Sequence, residues 1–300
     1  MGTFILFCKS FRDDVLRVKR LLDSVIAYNV DFIPFYLSVP QRDVNLFLEY
    51  IDFQTLKSSY QGKIELITDE SIVAQRRPTQ LTTYHATKGY ISQQVIKAIA
   101  WEKLPCEAYL ALDSDAYFTK SFYQRDFFFR VDTPFTIMHD GSELMDLSEK
   151  LGHHNVKTLF LKDSSLVKEE FGRVGADYDF GPAPLIWSVK VWQDLEKHLH
   201  DHQETIWEAF TRIPSEIRWY GETLLKYQSI ELRPIQPIFH CYQYAWQAAY
   251  YKKHPELMTR TNWIIGEVVQ SYWDESLRPN FAKKSWASRH WKNIKAAIKR

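Results

Sequence analysis

The alternation of β-rich runs with helical runs is the feature that most limits how this chain can fold. The runs at Thr3–Cys8, Ile33–Val39 and Lys63–Thr68 have the composition of short strands. Asp13–Tyr28 and Asp43–Phe53, which lie between them, place apolar residues at helical spacing. Strand–helix–strand repeats predict a Rossmann-like α/β fold with a mostly parallel central sheet and helices on both faces.

The alternation continues to the middle of the chain and then becomes irregular. Residues 74–88 are polar and basic, which favours a loop over a site, and Gly89–Glu102 then predicts a helix. Ala108–Leu112 reads as a buried strand, and Leu185–Val189 as another. The polar stretch 139–176 between them gives no clear element.

Two acids follow the strand Ala108–Leu112 at its predicted carboxyl end, Asp113 and Asp115. Residues i and i+2 of an extended chain point the same way, so both carboxylates can converge on one ligand. Buried carboxylates need neutralisation, and their hard oxygens suit Mg²⁺ or Mn²⁺. Asp69 follows the third strand at the same edge, where such sheets bind ligands. An acidic turn that caps the next helix is the competing interpretation.

Composition excludes several classes of protein. The formal net charge of +1 gives no support to a nucleic-acid partner for the whole chain. Three widely spaced cysteines show no metal-binding pattern, which indicates free thiols in a reducing compartment. We find no signal sequence and no run of about 18 apolar residues, so a cytoplasmic location is expected.

Four motifs in order resemble one known family. They are Asp113-Ser114-Asp115 as a DxD element, the Gly-containing loop Phe180–Pro184, the helix start Ser215-Glu216, and His240 after an extended segment. Together they resemble GT-A glycosyltransferases, the Rossmann-like class that uses nucleotide-sugar donors. The resemblance implies a divalent ion, Mn²⁺ or Mg²⁺, bound directly by Asp115.

The likeness narrows to bacterial glycosyltransferase-like proteins of surface-polysaccharide loci. Their pattern includes paired Gln before the DxD strand, here Gln93-Gln94 with Lys97. It also includes a Ser-Glu-x-x-x-Tyr-Gly signature, here Ser215–Gly221. The two residues after Glu216 depart from the family's usual Tyr and acid, which concerns the acceptor rather than the fold.

The resemblance also implies roles for the remaining site residues. Asp113 would hold metal waters or ribose hydroxyls, and His240 would be a further metal ligand, although a histidine of the core is the alternative. Glu216 is the first candidate for the base that deprotonates the acceptor hydroxyl, and Glu222 is its rival. For both, the alternative is an acid that complements the helix dipole.

Further residues are predicted to contact the nucleotide-sugar. Asp69 could accept a hydrogen bond from a uracil or guanine edge, and a turn acid is the alternative. Glycine in the 180–184 loop allows a close approach of backbone to ligand. The full donor set is Lys9, Phe11, Asp69, Gln94, Lys97, Asp113 and Gly181.

The C-terminal part is predicted to be separate in character. We assign 1–245 to the GT-A domain and 246–300 to a helical extension. From Arg278 onward there are eight Lys or Arg and no acid. Apolar residues form one helical stripe, which predicts a basic amphipathic helix on the inner face of an anionic membrane. A terminal helix packed on the domain is the alternative. The stripe comprises Ala287, Trp291, Ile294 and Ile298.

These features predict transfer of a sugar from a nucleotide diphosphate-sugar to a glycan or lipid-linked glycan, in synthesis of bacterial surface polysaccharide. A nucleotidyltransferase or sugar-phosphate enzyme remains an alternative. It would usually have a Gly-rich loop after the first strand, where this chain has Lys9-Ser10-Phe11-Arg12. A non-catalytic carbohydrate-binding protein is a third possibility, since 15% of the residues are aromatic.

Overall fold

The computed structural model describes residues 3–258 and 262–282, which form an α/β fold. The strands are β1 (Phe4–Lys9), β2 (Phe35–Val39), β3 (Ile64–Thr68), β4 (Ala108–Asp113), β5 (Ala116–Phe118), β6 (Phe128–Arg130), β7 (Thr133–Pro134), β8 (Thr136–Ile137), β9 (Leu185–Ser188), β10 (Pro234–Ile235), β11 (Phe239–Tyr242) and β12 (Gly266–Val269). The helices are α1 (Val15–Tyr28), α2 (Val44–Tyr50), α3 (Phe53–Ser59), α4 (Asp69–Arg76), α5 (Leu81–Ala86), α6 (Gly89–Ile99), α7 (Ser142–Lys150), α8 (Asn155–Glu170), α9 (Val189–Asp201), α10 (Ile206–Arg212), α11 (Glu216–Tyr227) and α12 (Ala245–Lys253).

The central sheet has the strand order β3-β2-β1-β4-β9. Its first four strands are parallel, and only the edge strand β9 runs antiparallel. The predicted mostly parallel sheet is therefore confirmed. From β1 the chain moves outward to β2 and β3, and then returns to β4 on the other side of β1. This reversal of strand order lies between the carboxyl ends of β1 and β4, where Lys9 pairs in register with Asp113.

Both faces of the central sheet are covered. All six residues of β1 and all five of β2 are buried, although successive side chains point to opposite faces. A strand buried on both sides needs apolar residues at every position, which explains the uninterrupted run Phe4–Cys8. The carboxyl end of the sheet is consequently the place where polar side chains can gather.

A second sheet extends the edge of the site. It has the order β11-β12-β5, with β12 parallel to β11 and antiparallel to β5. Because β5 begins one residue after Asp115, this sheet brings His240 of β11 into the same region. The segment after residue 245 is therefore not purely helical as expected, since β12 fills the middle of this sheet between two strands of the preceding part.

Two stretches without a predicted element contain helices. Residues 74–88 include the end of α4 and all of α5, because one face of each helix packs on the core through Val73 and Tyr84 while the polar face is exposed. The stretch 139–176 contains α7 and α8. Many residues of these two helices are polar, so the helical spacing of their apolar residues is not evident in the sequence. The helix predicted at 43–53 ends at Tyr50, and a second helix, α3, begins at Phe53, where Asp52 accepts hydrogen bonds from the N–H groups of Gln54 and Thr55.

No helix within the described ranges is long and apolar enough to cross a membrane. The apolar stripe of the predicted tail helix, 287–298, lies outside the described residues. Its first cation, Arg278, lies within them and contacts Asp13 at 3.3 Å and Glu275 at 3.7 Å. This arginine is therefore bound to the domain and is not part of a free basic surface.

Candidate functional site

The Asp113–Asp115 pair lies at the carboxyl end of β4, at the reversal of strand order. Asp115 is 4% exposed, and its Oδ2 accepts a hydrogen bond of 2.9 Å from the Ser271 N–H. Its other oxygen, Oδ1, is buried and has no hydrogen-bond partner among the residues that the structure describes. A buried carboxylate oxygen without a partner is costly, so this atom marks a place for a proton or a cation.

Burial, and after it the nearby charge of Asp113, raise the pKa of the Asp115 carboxyl to about 7, while the Ser271 N–H acts in the opposite direction. A divalent cation would remove both causes, so the pair fits a hard metal ion such as Mg²⁺ or Mn²⁺. Across 3–258 and 262–282, however, no three His, Cys, Asp or Glu side chains are arranged to hold a metal ion. His240 is not grouped with the two aspartates in this way, and its role as a ligand stays a prediction.

Helix α6 contributes a buried lysine that lies between two acids. Lys97 Nζ contacts Asp113 Oδ1 at 3.1 Å and Glu216 Oε1 at 2.5 Å. Burial lowers the pKa of Lys97, but the two carboxylates outweigh it and the net shift is upward. Gln94, one turn earlier, accepts a hydrogen bond of 3.1 Å from the backbone N–H of Glu216. Gln94 and Lys97 were predicted to contact the nucleotide-sugar. In the structure, both contact Glu216, and Lys97 also contacts Asp113.

Glu222, the second candidate base, lies in a separate ion pair. Its carboxylate accepts hydrogen bonds from Arg173 Nε at 2.5 Å and Nη2 at 2.7 Å. The residue is 3% exposed. A bidentate, buried pair of this kind satisfies both carboxylate oxygens and serves the packing of α11.

Asp69 and Lys9 form a second buried ion pair, at 2.9 Å, beyond β3 and β1. The Asp69 carboxylate also accepts hydrogen bonds from the Ser38 hydroxyl at 2.6 Å and the Tyr84 hydroxyl at 2.9 Å. Asp69 is the first residue of α4 and is 1% exposed, so it is not open to a nucleobase. Of the predicted donor residues nearby, Phe11 is the one that is exposed, at 40%.

A cavity of about 300 Å³ lies beside β11, and His240, Cys241 and Asp179 are in its wall. Burial, with a smaller contribution from the charges of Asp115, Asp113 and Asp179, raises the pKa of the Cys241 thiol to about 12. Burial also lowers the pKa of His240, which favours the neutral imidazole that binds metals.

The loop before β9 is tied to the strand β8 region by a pair of backbone hydrogen bonds between His139 and Asp179, of 2.9 and 2.7 Å. The His139 Nε2 contacts the Gly181 carbonyl at 2.6 Å, and the Gly181 N–H donates to Asp179 Oδ1 at 3.0 Å. Gly181 therefore shapes this loop through its backbone. Sequence reasoning selected the glycine but missed His139 and Asp179, because no spacing connects residues 40 positions apart.

Ser114 and Asp14 were also missed. The Ser114 hydroxyl donates to Asp14 Oδ2 at 3.1 Å, and Asp14 Oδ1 pairs with Arg17 at 2.8 Å. The i,i+3 spacing of Asp14 and Arg17 on one helix start was a usable signal for this pair. The contact with Ser114 depends on β1 and β4 being neighbours, which only the sheet order gives.

Comparisons with known proteins agree with this architecture. A search of curated protein sequences finds no match. Among solved structures, the crystal structure of mouse xyloside xylosyltransferase 1 in its apo form is similar to this chain, with a TM-score of 0.51. The match covers 90% of this chain and 98% of that one, at 8% sequence identity, so it concerns the fold.

The same comparison places the mixed α/β architecture, with its mostly parallel sheet, among GT-A-like folds. A sequence profile described as a family of unknown function, DUF6492, matches residues 5–259. This match spans well over half of the chain and includes Asp113, Asp115, nearly all of the central sheet and most of the cavity wall. The protein therefore belongs to the DUF6492 family.

Proposed function

We propose that this protein is a metal-dependent glycosyltransferase that moves a sugar from a nucleotide diphosphate-sugar to a glycan or a lipid-linked glycan. The observation that carries the proposal is the buried, unpartnered Oδ1 of Asp115 beside Asp113, at the reversal of strand order of a GT-A-like fold. Ligands of open α/β sheets bind at such a point. The resemblance of the motifs favours a role in bacterial surface-polysaccharide synthesis.

In this proposal, some residues bind the metal ion and others keep the acids of the site in position. Asp115 would ligate the cation, with Asp113 beside it and His240 as a further ligand. A bound Mn²⁺ or Mg²⁺ would stabilise the negative charge that develops on the leaving diphosphate. Lys97 fixes Asp113 and Glu216 in place through contacts of 3.1 and 2.5 Å, so the acids need no reorganisation when the donor arrives.

Isothermal titration calorimetry tests the nucleotide part of the proposal. UDP or GDP should bind in the presence of Mn²⁺ and should bind much more weakly in EDTA. The matching monophosphates should bind less tightly, because they offer less charge to the cation. Asp115→Asn should weaken Mn²⁺-dependent diphosphate binding by roughly 100-fold or more, since a bound cation contributes several kcal/mol.

Asp52→Asn is the matched control, because Asp52 is an exposed helix cap far from β4 in the chain and outside the predicted site. It should bind diphosphate like the wild type. Equal binding by Asp115→Asn, or tighter metal-free binding of a monophosphate, would remove the basis of the proposal. Binding of free sugars without any nucleotide would favour a carbohydrate-binding protein instead.

We further propose that the basic tail attaches the enzyme reversibly to the cytoplasmic face of a membrane that holds a lipid-linked acceptor. Each cation near an anionic surface contributes about 1 kcal/mol. A chain ending at Ala282 should lose cosedimentation with vesicles of phosphatidylglycerol and phosphatidylcholine, while diphosphate binding stays unchanged. High salt should have the same effect through screening. Full-length protein that ignores these vesicles at low salt would contradict this part.

A further inference from the structure

A base that deprotonates the acceptor hydroxyl needs a carboxylate oxygen that is not already engaged by another group. Glu216 and Glu222 both lie on α11, and both have a cation within 2.5 Å. Glu216 contacts Lys97, and Glu222 is engaged by Arg173 through both oxygens. Glu222 therefore has no free oxygen, and Lys97 occupies one oxygen of Glu216.

Asp179 differs from both glutamates, because no salt bridge to its carboxylate is formed within 3–258 and 262–282. Its Oδ1 is held by the Gly181 N–H at 3.0 Å. Its Oδ2 has no hydrogen-bond partner within 3–258 and 262–282. The neighbouring residue across the loop is Gly141, and a Cβ added there would lie 3.6 Å from this oxygen. The carboxylate is thus oriented by one oxygen and available through the other, in a half-buried position.

The surroundings of Asp179 suit a sugar. Asp179 lies in the wall of the cavity of about 300 Å³, a volume at the lower end of the range for small-molecule sites. Gln236, Gln243 and Tyr251 supply polar groups in the same wall, and Trp263 supplies an aromatic ring that is 55% exposed. Sugar rings present hydroxyls at their edges and C–H bonds on their faces, so polar groups beside an aromatic ring match both surfaces.

We infer that this cavity receives the carbohydrate acceptor and that Asp179 is the base that takes the proton from its reacting hydroxyl, an inference that rests on the proposed function. The O–H bond of the acceptor breaks, and the proton passes to the Asp179 carboxylate. The freed oxygen forms a bond to the anomeric carbon of the donor. The bond from that carbon to the diphosphate breaks, and its electron pair leaves with the diphosphate.

Asp179→Asn separates this role from a structural one. The asparagine Oδ1 can still accept from the Gly181 N–H, so the loop should keep its shape, but the amide cannot take a proton. The assay measures release of diphosphate from UDP-glucose and GDP-mannose, with water in the place of the acceptor. The variant should lose about 10²- to 10⁴-fold in kcat, the usual contribution of general base catalysis, with Mn²⁺-dependent diphosphate affinity unchanged.

Azide provides the second arm of the test. It is a nucleophile with no proton to lose, so it should restore diphosphate release by Asp179→Asn while forming a glycosyl azide. Asp146→Asn is the control, since Asp146 is an exposed aspartate of α7 outside the cavity wall. It should keep wild-type release and show no gain with azide.

The outcomes distinguish this inference from the proposed function. Failure of any nucleotide diphosphate to bind with Mn²⁺ would overturn both. Diphosphate binding together with wild-type release by Asp179→Asn would overturn the inference alone. So would diphosphate binding with no release from either donor, because a base in this cavity should activate water as it activates a sugar hydroxyl. Loss of release that azide does not restore would assign Asp179 to the shape of the loop.

Discussion

Asp69 and Asp115 follow two parallel strands of the same sheet, yet their surroundings differ in kind. Asp69 follows β3 and meets Lys9, Ser38 and Tyr84, so its carboxylate is neutralised and fully hydrogen-bonded. Asp115 follows β4, and within the described part of the chain it has one backbone donor for one oxygen and no partner for the other. Both are almost completely buried, at 1% and 4% exposure.

The difference distinguishes an acid whose hydrogen bonding is complete from one that can still accept a ligand. A satisfied buried ion pair holds the fold together, and breaking it leaves an uncompensated charge. An unsatisfied buried carboxylate costs stability, and a chain keeps such a group where a ligand completes it. Asp69 is therefore expected to support the fold, and Asp115 to support binding.

The largest effect is expected from breaking the satisfied pair. Asp69→Ala should lower the free energy of unfolding by about 3–5 kcal/mol, because Lys9 remains as an unpaired buried ammonium. Urea denaturation monitored by circular dichroism measures the change. Asp52→Ala is the control, since loss of an exposed helix cap costs about 1 kcal/mol. Equal losses for the two variants would contradict the distinction between a core ion pair and a surface cap.

The opposite sign is expected at Asp115. In EDTA at pH 8, Asp115→Asn should raise the free energy of unfolding by about 1–3 kcal/mol, because the amide avoids burying a charge. Burial raises the pKa of this carboxyl to about 7. Between about pH 4 and 7 the folded state therefore keeps a proton that the unfolded state releases, and the stability of the wild type falls as pH rises through this window.

The gap between wild type and Asp115→Asn should be small near pH 4 and constant above about pH 8, since the carboxyl is then in one form in each state. Saturating Mn²⁺ should close the gap by stabilising the wild type alone. Denaturation curves at several pH values give these differences. A variant less stable than the wild type at pH 8 in EDTA would show that Asp115 is a structural acid like Asp69.

The smallest effect is expected from removing one of the hydrogen bonds to Asp69, the acid that pairs with Lys9. Tyr84→Phe removes the hydroxyl that donates to Asp69 at 2.9 Å and should cost about 1 kcal/mol. Tyr90→Phe, at a tyrosine that is 57% exposed, should change stability by less than about 0.5 kcal/mol. Metal-dependent nucleotide binding should be unchanged in both. Weaker nucleotide binding by Tyr84→Phe would mean that the Asp69 network contacts the ligand after all.

The sequence by itself determined the class of fold and predicted the first pair of site residues. Periodicity and strand composition are local properties, so the alternation from Thr3 to Asp113 predicted the parallel sheet, and position at the end of β4 made Asp113 and Asp115 the candidate metal ligands. The same reasoning failed where polar faces concealed α7 and α8, and after residue 245, where β12 is a strand because β5 and β11 lie on either side of it.

Only the tertiary structure decided which charged groups are satisfied. Asp69 and Asp115 have similar sequence contexts, but their partners come from residues as far apart as Tyr84 and Ser271. The pairing of Lys97 with Glu216, and the free oxygen of Asp179, likewise depend on packing between distant segments. Burial and hydrogen bonding are properties of the assembled fold, and they set the energy of a buried charge. For that reason the sequence predicted which acids lie at the strand ends, and only the fold showed which of them have complete hydrogen bonding.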